Sequence, residues 1–561
     1  MDNWLQLLLF IFLLIVAIPL LGKFLAVIFR DNHEHSVPIL GRLEQGIYQV
    51  CGVDPEAEMR WREYAIAVLY FNFFGFLLLA FILSFQHVLP FNPQGFPGVP
   101  LALTFNIAMS FVTNTNWQSY GGENTLSYFS QMVGLTTQNF LSAATGNAVL
   151  LALIRGIVRQ SSSTIGNFWR DLTRTVVYLL LPFSIIFAFI LVSQGVVQSL
   201  SPYVDAITLE GVPQTIPLGP VASQVAIKQL GTNGGGFFNA NSAHPFENPT
   251  LFSNFLEVFA IVLIPAAATQ MFGLMTRSTR HGAVLFIVMF LMWFGGLLCA
   301  AYATALPDPV LGIEPVMEGK ETRFGVSDSV LWAITTTATS NGSVNAMIES
   351  LSPLAGGIAM FNIMLGEVIF GGVGVGLCGM VMFVLLTVFL AGLMVGRTPE
   401  YFGKKIGKPE MQWVMLSILM PPALILVGSG VSSVMPIALE SVSQEGPHGL
   451  SEILYAFSSA AGNNGSAFAG LNANTDFYNY ALGSIMFITR LTILIPSLAI
   501  AGLLAEKTHM APSVGTFATD GWLFGVLLMA VILIVGGLTF FPALSLGPFV
   551  EHLLMLEGRA F

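Results

Sequence analysis

The residues best suited to chemistry lie in four short polar turns of similar sequence. Aligned on a three-residue core, the turns are Asn114-Thr115-Asn116, Thr232-Asn233-Gly234, Ser340-Asn341-Gly342 and Asn463-Asn464-Gly465. Successive cores are separated by 118, 108 and 123 residues. Recurrence at nearly even spacing is typical of internal repeats, so the sequence predicts a fourfold design rather than four unrelated surface loops.

The segments before the turns indicate how the turns are held. Each core follows an amphiphilic stretch of about ten residues, such as 224–230, 330–339 and 451–461. Such a stretch is too short to span a bilayer but suits a half-helix that enters it. Non-helical backbone at that depth must be shielded by protein or line a water-filled cavity, and four turns could shield one another around one axis. Carbonyl oxygens aimed at that axis can replace the hydration shell of a potassium ion.

The first turn differs from the other three. It has Asn116 where they have glycine, and Gln118 where the second turn has Gly236. Asparagine is among the few residues that tolerate left-handed backbone, so the turn can form. We expect side-chain oxygens of Asn114, Asn116 or Gln118 to supplement the carbonyls, giving one dominant potassium site. The predicted potassium-binding residues are the twelve core residues together with Gln118, within filters at 113–118, 231–237, 339–344 and 462–467.

Composition places the chain in a membrane. Hydrophobic residues make up 54% and charged residues 9% of the sequence, against about 25% charged residues in soluble domains. The net charge of −10 is diffuse, and no basic stripe indicates nucleic-acid binding. The three cysteines lie far apart, which excludes a disulfide framework and a cysteine metal site.

Apolar runs predict an all-α polytopic membrane protein with ten spans. One span leads, four span–pore helix–span units follow, and one span trails. The predicted spans are 4–22, 64–87, 126–154, 175–196, 252–275, 283–302, 353–395, 413–435, 480–504 and 522–541. The corresponding divisions are a first span at 1–30, a loop at 31–62, repeats at 63–159, 170–277, 281–397 and 410–507, and a last span with the C-terminus at 520–561.

Basic residues predict the orientation. Sixteen of the twenty-one lysines and arginines fall on one face of this topology, at 23, 30, 42, 60, 62, 155, 159, 170, 174, 277, 280, 397, 404, 405, 408 and 507. By the positive-inside rule that face is cytoplasmic, so both termini and all four turns are external. Lys228 falls on the external side next to the second turn, and we expect its side chain to extend toward the lipid headgroups.

The third repeat contains a second functional candidate. Its run at 353–395 is about twice the length of one span and is interrupted by Glu367 and by glycines at 366, 371, 372, 374, 376 and 379. Each glycine lowers helix stability by about 1 kcal/mol, so a local break is predicted, with a closely packed continuous helix as the alternative. Because intramembrane charges usually face a partner, we expect Glu367 to pair with Arg490 below the turns, either as a structural pair or as part of the ion path. The predicted gate residues are Glu367, Gly371, Gly372, Gly374, Gly376 and Arg490.

Longer strings carry a resemblance to a known family. They are TNTNWQ at 113–118, GTNGGGFFNAN at 231–241, GEVIFGGVG at 366–374, GRTPEY at 396–401 and NNGSAFAG at 463–470. Over essentially its whole length the chain resembles the potassium-binding A subunits of bacterial Kdp potassium-transporting ATPases. The resemblance implies a transporter of four fused channel-like units in the bacterial inner membrane, with ions diverted at the break into a partner. The implied partners are a P-type ATPase subunit, a periplasm-facing accessory subunit and a small membrane peptide.

The absence of ATPase motifs agrees with ATP hydrolysis on a partner subunit. The chain has no Asp-Lys-Thr-Gly-Thr string to accept phosphate and no phosphate-binding loop. The string GVGLCG at 374–379 matches a dinucleotide fingerprint, but it lies inside an apolar run without a preceding soluble strand. We therefore expect no nucleotide on this chain and no catalysis by it alone. A stand-alone potassium channel or transporter of the same superfamily is the alternative function. An intramembrane enzyme is a remote one, because hydrolase motifs are lacking.

Overall fold

The computed structural model describes residues 2–30, 38–306, 309–310, 312, 316–394, 396, 398–510 and 517–559. Arg397, counted above among the basic residues, lies outside these ranges. The α-helices within them are α1 Asp2–Ile28, α2 Pro38–Cys51, α3 Trp61–Ser84, α4 Leu101–Val112, α5 Gly122–Thr125, α6 Thr137–Val158, α7 Phe168–Arg174, α8 Leu181–Ser193, α9 Val221–Leu230, α10 Leu251–Met275, α11 Thr279–Thr304, α12 Gly325–Ala338, α13 Pro353–Met364, α14 Val375–Met394, α15 Lys408–Ser432, α16 Pro436–Leu439, α17 Gly446–Ala461, α18 Asp476–Ala505, α19 Trp522–Leu544 and α20 Val550–Leu556.

Ten helical segments of the described chain are long and apolar enough to cross a membrane, which confirms the predicted number. They are Trp4–Ile28, Trp61–Ser84, Ser130–Val158, Phe168–Ser193, Leu251–Met275, Thr279–Thr304, Val375–Met394, Lys408–Ser432, Asp476–Ala505 and Trp522–Leu556. Turns of π-helix at Ser130–Thr136, Thr175–Leu180 and Ser545–Phe549 continue three of these segments. The last segment extends 15 residues beyond the predicted end at 541, because helix resumes after its π-helical turn.

Four shorter helices precede the polar turns, which confirms the span–pore helix–span pattern. They are α4, α9, α12 and α17, with 12, 10, 14 and 16 residues. Their lengths fall below the ~20 residues that a complete crossing needs. Three of them begin earlier than the sequence indicated, α9 at Val221, α12 at Gly325 and α17 at Gly446.

Burial separates inner from peripheral spans. In the most apolar window of each span, 89% of residues are buried for Ser130–Val158 and 78% for Val375–Met394, against 28% for Trp4–Ile28. The inner helices α6 and α14 contact each other, and α18 packs against α6, α4 and α15. The inner spans thus enclose the turns, whereas the outer spans present apolar side chains to lipid.

Two small hairpins lie outside the spans. Strands β1 Val204–Ile207 and β2 Pro213–Ile216 pair antiparallel between α8 and α9, on the same face as the turns. Strands β3 Glu400–Tyr401 and β4 Lys404–Lys405 pair between α14 and α15 on the opposite face. Lys404 is fully buried, and its Nζ donates to the carbonyl oxygens of Gly156 at 2.9 Å and Leu504 at 2.8 Å. This lysine therefore joins the ends of α6 and α18.

Small residues allow α6 and α18 to approach closely. A Cβ atom added to Gly156 would lie 2.4 Å from the Cα of Ala501. Lipid gives apolar side chains little preference for one another, so such helices associate through close backbone packing at small residues.

We expect Gly156→Val to lower the midpoint of thermal unfolding of the purified protein, because the added carbons overpack the interface by about 1–3 kcal/mol. The matched control is Gly295→Val in α11, where an added Cβ has no neighbour within 4 Å. Equal midpoints for both variants would contradict the close packing of α6 and α18.

Candidate ion filter and the broken helix beneath it

The four turns share one hydrogen-bond pattern. The backbone N–H of each middle core residue donates to the carbonyl oxygen five residues earlier, in the last turn of its pore helix. The pairs are Thr115 to Ser110 at 2.9 Å, Asn233 to Lys228 at 2.9 Å, Asn341 to Thr336 at 3.1 Å and Asn464 to Ser459 at 2.9 Å. The four turns are therefore structural equivalents, and each begins at a helix C-terminus, which carries partial negative charge.

The backbone of every turn alternates in the sign of φ. First core residues have φ of 66° at Asn114, 48° at Thr232, 51° at Ser340 and 46° at Asn463. Third core residues have φ of 54° at Asn116, 78° at Gly234, 92° at Gly342 and 98° at Gly465, whereas the middle residues lie outside the positive-φ region. Backbone that alternates in this way can aim successive carbonyl oxygens to one side of the chain. A left-handed β-branched residue such as Thr232 costs about 1–3 kcal/mol and persists only where the surroundings hold it.

The turns contact one another in a closed ring. A Cβ atom at Gly234 would lie 1.9 Å from the carbonyl oxygen of Asn341 in the third turn. Equivalent atoms at Gly342 and Gly465 would lie 2.0 Å from the carbonyl oxygens of Asn464 and Thr115. The ring closes between the first and second turns, where Asn116 Nδ2 donates to the carbonyl oxygen of Gly234 at 3.1 Å. The fold thus brings all twelve predicted core residues together.

The neighbouring turn explains how the first turn can have Asn116 where the other three turns have glycine. Asn116 adopts the left-handed conformation expected for it. The neighbouring turn has an additional glycine, Gly235, at φ of 66°, and a Cβ atom there would lie 3.3 Å from the Cβ of Asn116. The side chain at the first turn is therefore accommodated by a second glycine in the adjacent turn.

The three predicted side-chain oxygens have different surroundings. Asn114 Oδ1 accepts hydrogen bonds from Ser142 Oγ at 2.8 Å and from Asn233 Nδ2. Gln118 Oε1 accepts from the backbone N–H of Gly236 at 2.8 Å, and Gln118 Nε2 donates to the Gly236 carbonyl at 3.0 Å. Both residues therefore join the first turn to the second. Asn116 Oδ1 is buried without a hydrogen-bond partner among the described residues.

A break in the third repeat lies next to the ring. Residues 365–374 connect α13 to α14 without helix, so the continuous-helix alternative is wrong. The backbone N–H of Val373 donates to Thr232 Oγ1 at 2.8 Å, which places the break in contact with the second turn. Gly371 and Gly374 have φ of 65° and 80° within the break, whereas Gly376 lies in α14. A Cβ atom at Gly376 would lie 2.1 Å from the Phe370 carbonyl oxygen, so glycine there permits close packing of the break.

The predicted pairing of Glu367 with Arg490 is confirmed. Arg490 Nη1 lies 3.3 Å from Glu367 Oε1, and the side chains of Arg490 and Glu367 are 5% and 9% exposed. Glu367 Oε2 also accepts from the backbone N–H of Gly372 at 2.9 Å, so the pair holds the break in place. A cavity of about 90 Å³ is lined by Glu367 together with Asn463 of the fourth turn and Thr489 of α18. Glu367 and the fourth turn thus border one cavity.

The expectation that Lys228 extends to the headgroups is wrong. Lys228 is fully buried, and its ammonium group contacts the carboxylate of Glu247 and donates to Ser242 Oγ at 2.9 Å. The loop after the second turn folds back over α9 and brings the carboxylate to the lysine, which removes the need for headgroup contact. Sequence reasoning missed Glu247 and Glu257 as inner residues. The available signal was a lysine and two acids within a stretch of thirty residues, 228–257, that holds no other lysine, arginine, aspartate or glutamate.

One group of acids and histidine in the described chain has the spacing of metal ligands. Glu349, His448 and Glu452 place one ligand atom each within 4.8 Å of the others. Burial disfavours the charged imidazole, but hydrogen bonds from His448 to Glu349 and Glu551 outweigh it and raise the pKa of His448 to about 10. A protonated imidazole offers no lone pair to a metal, so the group is better described as a histidine between carboxylates.

Comparison with known proteins places this arrangement in a family. The family model described as KdpA, the potassium-transporting ATPase A subunit, matches residues 8–553. This chain belongs to that family. It is 53% identical over 100% of both chains to the potassium-transporting ATPase potassium-binding subunit of Leptospira interrogans. The relative of the same name from Rhodospirillum centenum is 53% identical over 100% of this chain and 99% of its own.

A solved structure supports the fold of this KdpA family member. The potassium transporter TrkH from Vibrio parahaemolyticus superposes with a TM-score of 0.51, covering 88% of this chain and 96% of its own. Sequence identity is 14%, so the likeness concerns the fold alone. It agrees with the predicted all-α architecture of repeated span–pore helix–span units.

We expect Gly234→Ala to weaken the apparent affinity for potassium at least about tenfold. The added carbon meets the Asn341 carbonyl and displaces one edge of the ring, and misplaced polar groups of this kind cost about 1–3 kcal/mol. The measurement is the concentration dependence of potassium uptake. Gly211→Ala is the matched control, since Gly211 has φ of 80° but an added Cβ there has no neighbour within 4 Å. Unchanged kinetics in Gly234→Ala would count against a filter at the ring.

Charge reversal at Glu367 or Arg490 alone is expected to reduce the amount of folded protein in the membrane, because each leaves two like charges buried together. Combining Glu367→Arg with Arg490→Glu restores the attraction and part of the folded protein. Rescue is partial because arginine cannot accept the hydrogen bond from Gly372. Immunodetection of membrane fractions measures the effect. A swap that rescues nothing would show that the attraction between these two charges is not what the fold depends on.

Proposed function

We propose that this chain is the potassium-binding and potassium-translocating subunit of an ATP-driven uptake complex. The closed ring of four equivalent turns carries the proposal. A monovalent cation at its axis would exchange its water shell for carbonyl oxygens of the twelve core residues, supplemented by Asn116 Oδ1. Left-handed backbone at two of every three core positions supports this role, because strained conformations concentrate at functional sites.

The path beyond the ring is proposed to turn sideways. The break at residues 365–374 obstructs direct passage, and the Glu367–Arg490 pair fixes its position. The cavity bordered by Asn463 and Glu367 offers space beside the break, and the Glu367 carboxylate can attract a cation entering it. Ions would leave this cavity toward a partner subunit rather than directly into the cytoplasm.

Orientation follows from the distribution of basic residues. Lysines and arginines concentrate on the face opposite the turns, which supports a cytoplasmic position for that face in the bacterial inner membrane. Both termini and the ring would then lie on the external side. An opening toward the outside suits a subunit that captures potassium from dilute surroundings.

ATP hydrolysis is assigned to another chain. The sequence lacks the phosphate-accepting aspartate motif of P-type pumps and a phosphate-binding loop. Relatives named as potassium-binding subunits of potassium-transporting ATPases support an assembly of several chains. We assign as partners a P-type ATPase subunit, an accessory subunit facing the periplasm and a small membrane peptide.

A stand-alone potassium transporter is the second candidate, favoured by the fold shared with TrkH. A tag on this chain should co-purify a P-type ATPase from the source cells. Uptake at low external potassium should require that partner, with the partner lacking its phosphorylated aspartate as the control. Concentrative uptake by this chain in cells without the partner would favour the stand-alone reading.

A further inference from the structure

Three charged side chains lie behind the second turn, away from the proposed ion path. Lys228 of α9, Glu247 of the following loop and Glu257 of α10 are all fully buried. Lys228 and Glu247 form an ion pair, and Glu247 Oε1 also accepts from the backbone N–H of Phe238 at 2.9 Å. Glu257 is the third charge of the cluster.

Among the described residues, Glu257 receives hydrogen bonds at one of its two carboxylate oxygens. Glu257 Oε2 accepts from Ser242 Oγ at 2.8 Å and from Gln229 Nε2 at 2.9 Å. Glu257 Oε1 is buried and has no hydrogen-bond partner among the described residues. With Glu257 ionised, two carboxylates and one ammonium group would leave the cluster with one negative charge that no described side chain within it balances.

A chain of hydrogen bonds connects this charge to the ring. Gln229 Oε1 accepts from Ser343 Oγ at 3.0 Å, and the backbone N–H of Ser343 donates to Asn341 Oδ1 at 3.0 Å. Asn341 Nδ2 in turn donates to the carbonyl oxygen of Lys228 at 3.0 Å. The cluster therefore positions the junction between the second and third turns.

The corresponding contacts at the next junctions are made by neutral groups. Asn464 Nδ2 donates to the carbonyl oxygen of Thr336 at 2.9 Å, and Ser466 Oγ bonds to Tyr455 Oη at 2.7 Å. Asn463 Nδ2 donates to Thr115 Oγ1 at 3.0 Å. At these two junctions, the hydrogen bonds named here involve no charged side chain.

We propose that Glu257 determines potassium affinity by supplying a buried negative charge that the ion in the ring balances. A buried charge without a partner is costly, and a cation held nearby offsets that cost. By thermodynamic linkage, the free energy by which the bound ion stabilises the ionised Glu257 equals the free energy by which ionised Glu257 stabilises the bound ion. Gln229 acts as a positioning residue between the two. This inference rests on the proposed filter.

The test compares Glu257→Gln with Glu257→Asp in the assembled complex, measuring the KM and maximal rate of potassium uptake. Glutamine preserves both hydrogen bonds to Oε2 and removes the charge, whereas aspartate keeps the charge and shortens the side chain. We expect glutamine to raise KM about tenfold, the effect of one charge at moderate range and intermediate dielectric, with the maximal rate unchanged. Aspartate should stay close to wild type.

Glu410→Gln is the matched control. Glu410 is also a buried carboxylate, but it lies at the start of α15 on the face opposite the turns, where it contacts Lys507. Its KM for potassium should remain that of wild type.

Each other outcome overturns the proposal. A larger effect of aspartate than of glutamine would assign Glu257 a purely positioning role. Failure of Glu257→Gln to accumulate would show that the fold, not the ion, needs the charge. If KM is unchanged in Glu257→Gln while Gly234→Ala weakens the apparent potassium affinity, the charge effect is rejected and the filter is retained. If KM is unchanged in both variants, the filter is rejected as well.

Discussion

Non-helical backbone within a membrane must satisfy its polar groups inside the protein, and this constraint shapes the whole molecule. The four turns are such backbone, and each is stabilised by its own pore helix and by its two neighbours. Because each turn is stabilised by contacts with the next turn, the four repeats must surround one axis. In the proposed function, the carbonyl oxygens left at that axis are the groups that bind an ion.

The four turns of the ring have equivalent backbone conformations, but the side chains that support them differ. All four middle residues donate to the same position of the pore helix, yet the side chains behind them differ at each junction. Asn114 and Gln118 bridge the first two turns, and a charged cluster supports the second and third. A fused chain can vary each repeat separately, which four identical subunits cannot do. Asymmetry in charge and in ion exit is therefore compatible with a symmetric arrangement of oxygens.

Local patterns were sufficient for much of the architecture. The ten spans, the pore helices and the break in the third repeat follow from apolar run length, turn spacing and glycine content. The pairing of Glu367 with Arg490 followed from the cost of isolated charge in a membrane. Segment ends were less accurate, as at α12, α17 and the last span, because hydropathy does not register capping or π-helical turns.

By itself the sequence determined the membrane class, the fourfold repeat and the twelve turn residues, since each depends on composition or short-range spacing. Only the tertiary structure decided that Lys228 is buried with Glu247, that Gln118 bridges two turns and that Val373 contacts Thr232. These contacts join residues 19 to 141 positions apart. Their partners are chosen by how the repeats close around the axis, and no local pattern encodes that choice.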